Sequence, residues 1–228
     1  MAGSRPGIAR YRWPRGRVSG HSPGAPEAPG GSQAAPGLGG AEGNERLTAM
    51  TGAVLLILLA VECYTILRIG RLLTLHVFLG MLLLGPVVLK AVSVLYRFAR
   101  YYSGSAPYRR KGPPALLLRM IGPVIMLLTA CVFGSGIMLA VTGPSYGPPT
   151  GWLEVHRISF IAWAFFITIH VLAYLPRLPR LLAAEGRAAQ VLGGRSARLA
   201  LLIAALLAGL VIALLTVHLA GKWESPGN

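Results

Sequence analysis

Aspartate is absent from the 228 residues, and only seven glutamates stand against 22 lysines and arginines. Cysteine is limited to Cys63 and Cys131, both within long apolar runs, where a small buried hydrophobe is its ordinary use. No Cys-x-x-Cys-His sequence occurs, which excludes covalent attachment of a c-type haem. Nor is there a cluster spaced like a zinc site, a phosphate loop or a nucleophile elbow, and flavin and nicotinamide fingerprints are missing. Stand-alone soluble catalysis is therefore not expected.

What is present in quantity is hydrocarbon. Hydrophobic residues make up 54% of the chain and the mean hydropathy is +0.60. The formal net charge of +15 and a pI near 11.1 could suggest a nucleic-acid binder. The basic residues, however, fall between apolar blocks too long for soluble helices, so no nucleic-acid partner is expected and the charge reads as a topology signal. Five blocks reach the roughly 20 apolar residues that cross a ~30 Å hydrocarbon core. They run Leu47–Leu67, Leu72–Leu95, Met120–Val141, Trp152–Leu175 and Leu199–Ala220, and they predict an all-α integral membrane helix bundle in contact with the lipid bilayer.

Arg97, Arg100, Arg109, Arg110, Lys111 and Arg119 lie between the second and third blocks. Arg177, Arg180, Arg187, Arg195 and Arg198 lie between the fourth and fifth. Lys and Arg are retained on the cytoplasmic side, which predicts an inner (cytoplasmic) membrane protein with its N-terminus inside and its C-terminus outside. The turn Arg68-Ile-Gly-Arg71 is a small dissent. Residues 1–46, with eleven Gly and six Pro, show no apolar periodicity and read as a disordered cytoplasmic tail. They also lack the continuous apolar stretch of a cleavable signal peptide. Residues 221–228 read as a short outer tail.

Two of the blocks carry the same fourteen-residue ruler. His76 and Lys90 lie on the second, His156 and His170 on the fourth. Fourteen residues of α-helix come to within about 40° of whole turns and rise about 21 Å, so each pair shares a face with one member toward each side of the membrane. Under the expected topology the second and fourth helices are parallel, and His76 and His156 are each the fifth residue of their block. Two imidazoles at one depth can bind iron from opposite sides through Nε2, and the low-spin six-coordinate haem that results suits electron transfer. His76 and His156 are therefore the expected metal ligands. His218 is a spare at similar depth.

The ruler faces carry further candidates. Gly80, one turn from His76, would leave room for a macrocycle edge, and Phe160, Trp163 and Ile167 follow His156 as an apolar rim. Packing of helices explains a membrane Gly or an aromatic stripe equally well. Arg157 could pair with a haem propionate or anchor at the interface. Glu62, on the first block, could accept the second N–H of a ligand imidazole, pair with Arg68, or sit protonated in the bundle.

The pairing resembles the cytochrome b superfamily, in which two parallel helices each present His-x13-His and hold two b haems. The segments Leu75-His76-Val-Phe-Leu-Gly80 and Pro86-Val-Val-Leu-Lys90 resemble small bacterial b-type subunits of hydrogenases and formate dehydrogenases. Tyr96-Arg-Phe-Ala-Arg-Tyr-Tyr102 through Gly112-Pro-Pro114 is similar to actinobacterial integral membrane relatives of that group. The resemblance implies a haem-binding, electron-transferring redox subunit or relay with a partner subunit or quinone, and it covers residues 47–176. It also marks a departure, since Lys90 stands where a second histidine is implied. A lysine ligates iron only as the neutral amine, and it can instead snorkel to the interface. One haem b per chain is expected, with two as the alternative. A quinone headgroup between Lys90 and His170 is a third arrangement. The competing class is a haem-free membrane scaffold or small transporter whose histidines satisfy bundle polarity.

Overall fold

A computed structural model describes residues 40–110, 116–143, 151–187 and 194–224. Among them every regular element is helical: α1 (Gly40–Leu67), α2 (Ile69–Tyr102), α3 (Ala106–Arg110), α4 (Leu116–Thr142), α5 (Gly151–Tyr174), α6 (Leu178–Arg187), α7 (Arg195–Thr216) and α8 (Gly221–Glu224), with 3₁₀ turns at Leu175–Arg177 and Val217–Ala220. Five of these stretches are long and apolar enough to cross a membrane: Gly40–Leu67, Ile69–Tyr102, Arg119–Thr142, Gly151–Ala183 and Arg195–Trp223. The protein is an all-α, multi-pass membrane helix bundle.

The distribution of side chains is the inverse of a soluble protein's. Ile57, Leu127, Ile161 and Leu215 are each about two-thirds exposed, and they form the outer surface that a bilayer covers. The fully buried positions include Leu83 and Pro86 but also the polar Thr51, Thr65, Ser135 and Arg198. Hydroxyls are admitted because the helices satisfy them locally. Thr51 donates to the Leu47 carbonyl, Thr129 to Ile125 and Ser135 to Cys131, at 2.6–2.8 Å. Such back-bonding removes the cost of an unpaired hydroxyl in hydrocarbon.

α1 and α2 form an antiparallel pair around the turn Arg68–Arg71, where Arg71 and Leu72 N–H groups both donate to the Arg68 carbonyl. Leu72 is non-helical (φ −119, ψ 23), so the regular part of α2 begins after it. α7 packs along α2. The closest approach uses Gly85 and Gly209, where an added Cβ would run into the backbone of Ala205 and of Leu82 respectively. Pro86, lacking an N–H, cannot serve the Leu82 carbonyl four residues earlier, and Gly209 packs against that same oxygen.

α4 and α5 make a second hairpin. It packs tightly within itself but meets the α1–α2–α7 group only sparsely, along α2–α4 and at the end where the chain terminates. There Lys222 Nζ donates to the Val141 carbonyl in the last turn of α4 (2.6 Å), and Trp223 Nε1 donates to the Leu139 carbonyl (3.1 Å), which also accepts from Gly143 N–H. Between the two groups runs a seam faced by α2 and α5.

Several sequence expectations are corrected. The first helix, α1, begins at Gly40 rather than Leu47, so residues 40–46 are helical. The cause is tertiary: buried Asn44 donates to the Ser93 carbonyl of α2 (3.0 Å), and Thr48 Oγ1 meets Ser93 Oγ at 2.9 Å. Residues 1–39 lie outside the described residues. Within the short tail, Gly221–Glu224 forms a helical turn docked on α4. Arg198, counted among loop cations, is buried in the first turn of α7. Arg109 and Arg110 sit on α3, whose Tyr108 ring packs edge-on to Tyr96 at 6.1 Å. Burial and the adjacent Tyr96 push the Tyr108 phenol above its usual range.

Candidate functional site

The hairpin of α1 and α2 fixes the first half of the site. Residues equidistant from Ile69 along the chain face one another, which sets Glu62 opposite His76 and Thr48 opposite Lys90. His76 Nδ1 lies 2.9 Å from Glu62 Oε1, and the side chains are 21% and 11% exposed. Thr65 joins them, with its Oγ1 3.1 Å from the same Nδ1 and donating to the Glu62 backbone carbonyl at 2.6 Å. The nitrogen that faces a carboxylate carries the proton, so Nδ1 is the N–H and Nε2 holds the lone pair of the neutral ring.

The α4–α5 hairpin fixes the second half in the same way. His156 Nδ1 is 3.1 Å from the Val132 carbonyl and 3.1 Å from Ser135 Oγ. A carbonyl can only accept, so here too Nδ1 is the donor. Gly136 lets α4 approach, since a Cβ there would stand 3.2 Å from His156 Cε1. Trp163 Nε1 donates to Thr129 Oγ1 at 2.9 Å and its ring stacks on Phe160, which tie the next turn of α5 to α4.

The two imidazoles meet across the seam. Their centroids are 6.5 Å apart and their planes cross at 83°. Neither Nε2 makes a hydrogen bond among the described residues. An edge-to-face ring pair also falls at this distance. A metal about 2.0 Å from one nitrogen of each ring, with that nitrogen about 1.2 Å from its ring centre, needs centroids roughly 6.4 Å apart. The anchoring of both Nδ1 atoms is the arrangement that ligand imidazoles receive from their outer partners. Among the described residues no group of three or more His, Cys, Asp and Glu could hold a bare ion. Two imidazoles are a sufficient protein contribution only where a macrocycle supplies the other donors. The residues present fit haem better than a naked metal.

Met81, near the start of α2, packs with Ala140, near the end of α4, and α5 runs back along α4, so α2 and α5 run parallel. Lys90 does not snorkel outward; its Nζ donates to the Thr48 carbonyl of α1 at 2.6 Å, beside Gly52. Gly52 explains the difference, because its missing side chain leaves the space that the amine fills.

Other candidates stand apart. Arg157 is 63% exposed and 4.0 Å from Glu154, with no contact to either ring. His218 is exposed on the 3₁₀ turn after α7. Gly80 faces Glu62, with 3.7 Å between a notional Cβ and Oε1, so its space serves the carboxylate. Thr65, Val132, Ser135 and Gly136 escape sequence reasoning. The triplet Gly134-Ser135-Gly136, small and polar in an apolar run, was the available signal for the last two. No protein-family model, curated protein or solved structure matches the chain.

Proposed function

We propose that this protein binds one b-type haem between His76 and His156 and serves as an electron-transferring subunit or relay in the inner (cytoplasmic) membrane. The observation that carries the reading is the crossed pair of imidazoles at 6.5 Å, each with Nδ1 hydrogen-bonded and Nε2 without a partner among the described residues. When bound, a haem would supply a one-electron couple.

The chain's own residues do the rest. Glu62 and Thr65 hold the His76 ring in one tautomer, and Val132 and Ser135 hold His156 in the same one. The two halves differ in charge, because Glu62 offers a carboxylate where α4 offers neutral oxygens. The anionic partner strengthens His76 as a donor to a cation and favours the more positive state of the site. Reduced-minus-oxidised visible spectra of the purified protein test the reading: a b-type α-band reducible by dithionite is expected, and a colourless protein makes it a haem-free scaffold or transporter. Glu62→Ala is expected to weaken cofactor retention about 10–100-fold, measured as haem lost to an excess of apomyoglobin.

Sidedness belongs to the same proposal. Reporter fusions at Arg109 and Arg187 are expected inside, and at Tyr146 and Trp223 outside, because the arginines cluster at one end of the bundle. A cytoplasmic reporter at Tyr146 would reverse the orientation and put the His76–His156 pair near the inner face.

A further inference from the structure

His76 and His156 stand on two groups of helices that meet only sparsely: His76 on the group of α1, α2 and α7, His156 on the α4–α5 hairpin. The separation of the rings therefore depends on whatever fixes the hairpin against α2. Met81 of α2, Ala140 of α4 and Ala213 of α7 form one buried cluster, with Phe78, Leu82 and Leu219 packed against it. Beside the cluster the chain turns after α7. Ala220 is fully buried there, and the next residues reach across to α4. Lys222 Nζ donates to the Val141 carbonyl and Trp223 Nε1 to the Leu139 carbonyl. Gly143 makes the approach possible. It ends α4 at φ 70, where other residues are strained, and a Cβ there would stand 3.3 Å from Lys222 Cβ. Leu139 is one helical turn from Ser135, whose Oγ meets His156 Nδ1, and α4 is continuous over that stretch.

We propose that the C-terminal turn Gly221–Glu224 is a clasp that fixes the α4–α5 hairpin against α2. Lys222 and Trp223 are its positioning residues, and they set the distance and angle between His76 and His156. Apolar contact alone is a poor fastener in a bilayer, because lipid covers hydrocarbon as well as a neighbouring helix does. Close packing of small residues and hydrogen bonds hold membrane helices together instead. Ala140 and Ala213 bring little area, which leaves the two donors at the chain end to hold the hairpin. The fastening needs no cofactor. Its consequence for iron ligation rests on the haem reading.

Spin labels at Ile57 on α1 and Leu127 on α4, both about two-thirds exposed, read the fastening alone. They are attached to introduced cysteines in full-length protein whose Cys63 and Cys131 are replaced by alanine. Pulsed electron paramagnetic resonance should give one narrow distance distribution in the parent. Lys222→Met combined with Trp223→Phe should broaden or displace it, with helical circular dichroism unchanged. If the double variant is not recovered folded, the two single substitutions are read in the same way. Lys222→Arg, which keeps a donor, should match the parent. Loaded with haem, the double variant should lose it to apomyoglobin roughly tenfold faster, the worth of one hydrogen bond. Its ferric signal should be less anisotropic, because the ring planes are no longer held crossed. An unaltered distance distribution would overturn the proposal. So would a moved hairpin that leaves haem loss and the ferric signal parental, or a Lys222→Arg protein as broad as the double variant. A colourless protein whose labels move as expected upholds the clasp and contradicts only the haem reading.

Discussion

His76→Ala and His156→Ala are each expected to take bound haem from about one per chain to almost none. On the proposed reading, removing either ring deletes one of two protein ligands, and among the described residues no third donor stands nearby: His218 is exposed on the turn after α7, and Glu62 and Ser135 are committed to the histidines themselves. The His76 variant also leaves the Glu62 carboxylate buried without its partner, which lowers stability by about 1–3 kcal/mol. The His156 variant frees a carbonyl and a hydroxyl that the helix already satisfies, so its fold should suffer less. Free imidazole supplied to His156→Ala during haem loading should restore part of the spectrum, because Val132 and Ser135 remain to hold it. Full haem content in both alanine variants would remove the basis of the site.

Gly209→Leu is expected to abolish recovery of folded, monodisperse protein. Its side chain would have to occupy the position of the Leu82 carbonyl, and both α2 and α7 would have to move. Overpacking of an adaptable core costs about 1–3 kcal/mol, and here the obstacle is backbone, which cannot rotate away as a side chain does. Gly85→Leu should behave alike, since it meets Ala205 and Gly209. Gly122→Ala is the matched control, with open space around its Cβ position, and should melt within a few degrees of the parent. Thermal unfolding followed by size-exclusion in detergent reads all three. Near-parental melting of Gly209→Leu would mean that α2 and α7 do not pack through these glycines.

Much of this bundle was legible because a membrane imposes a length and a polarity that composition cannot hide. The five spans, the parallel relation of α2 and α5 and the meeting of His76 with His156 all follow from apolar runs and one helical period. What stayed hidden depends on contacts between helices. The start of α1 at Gly40 is set by Asn44 reaching Ser93, residues that no local pattern connects. Lys90 reads on the sequence as a ligand position held by an amine or as a snorkelling cation, and only Gly52 on another helix shows how it finds a berth inside. The role of Glu62 was one of three alternatives until the hairpin geometry set it against His76, and Val132 takes part through a backbone carbonyl that carries no sequence signal.

Low-temperature electron paramagnetic resonance of the oxidised, purified protein tests the central claim most directly, because it reports both the ligands and their relative orientation. Two imidazoles whose planes cross at 83° should give a low-spin ferric signal of the strongly anisotropic kind that perpendicular axial rings produce. A high-spin signal, or no haem signal from protein reconstituted with haem b, would contradict ligation by His76 and His156.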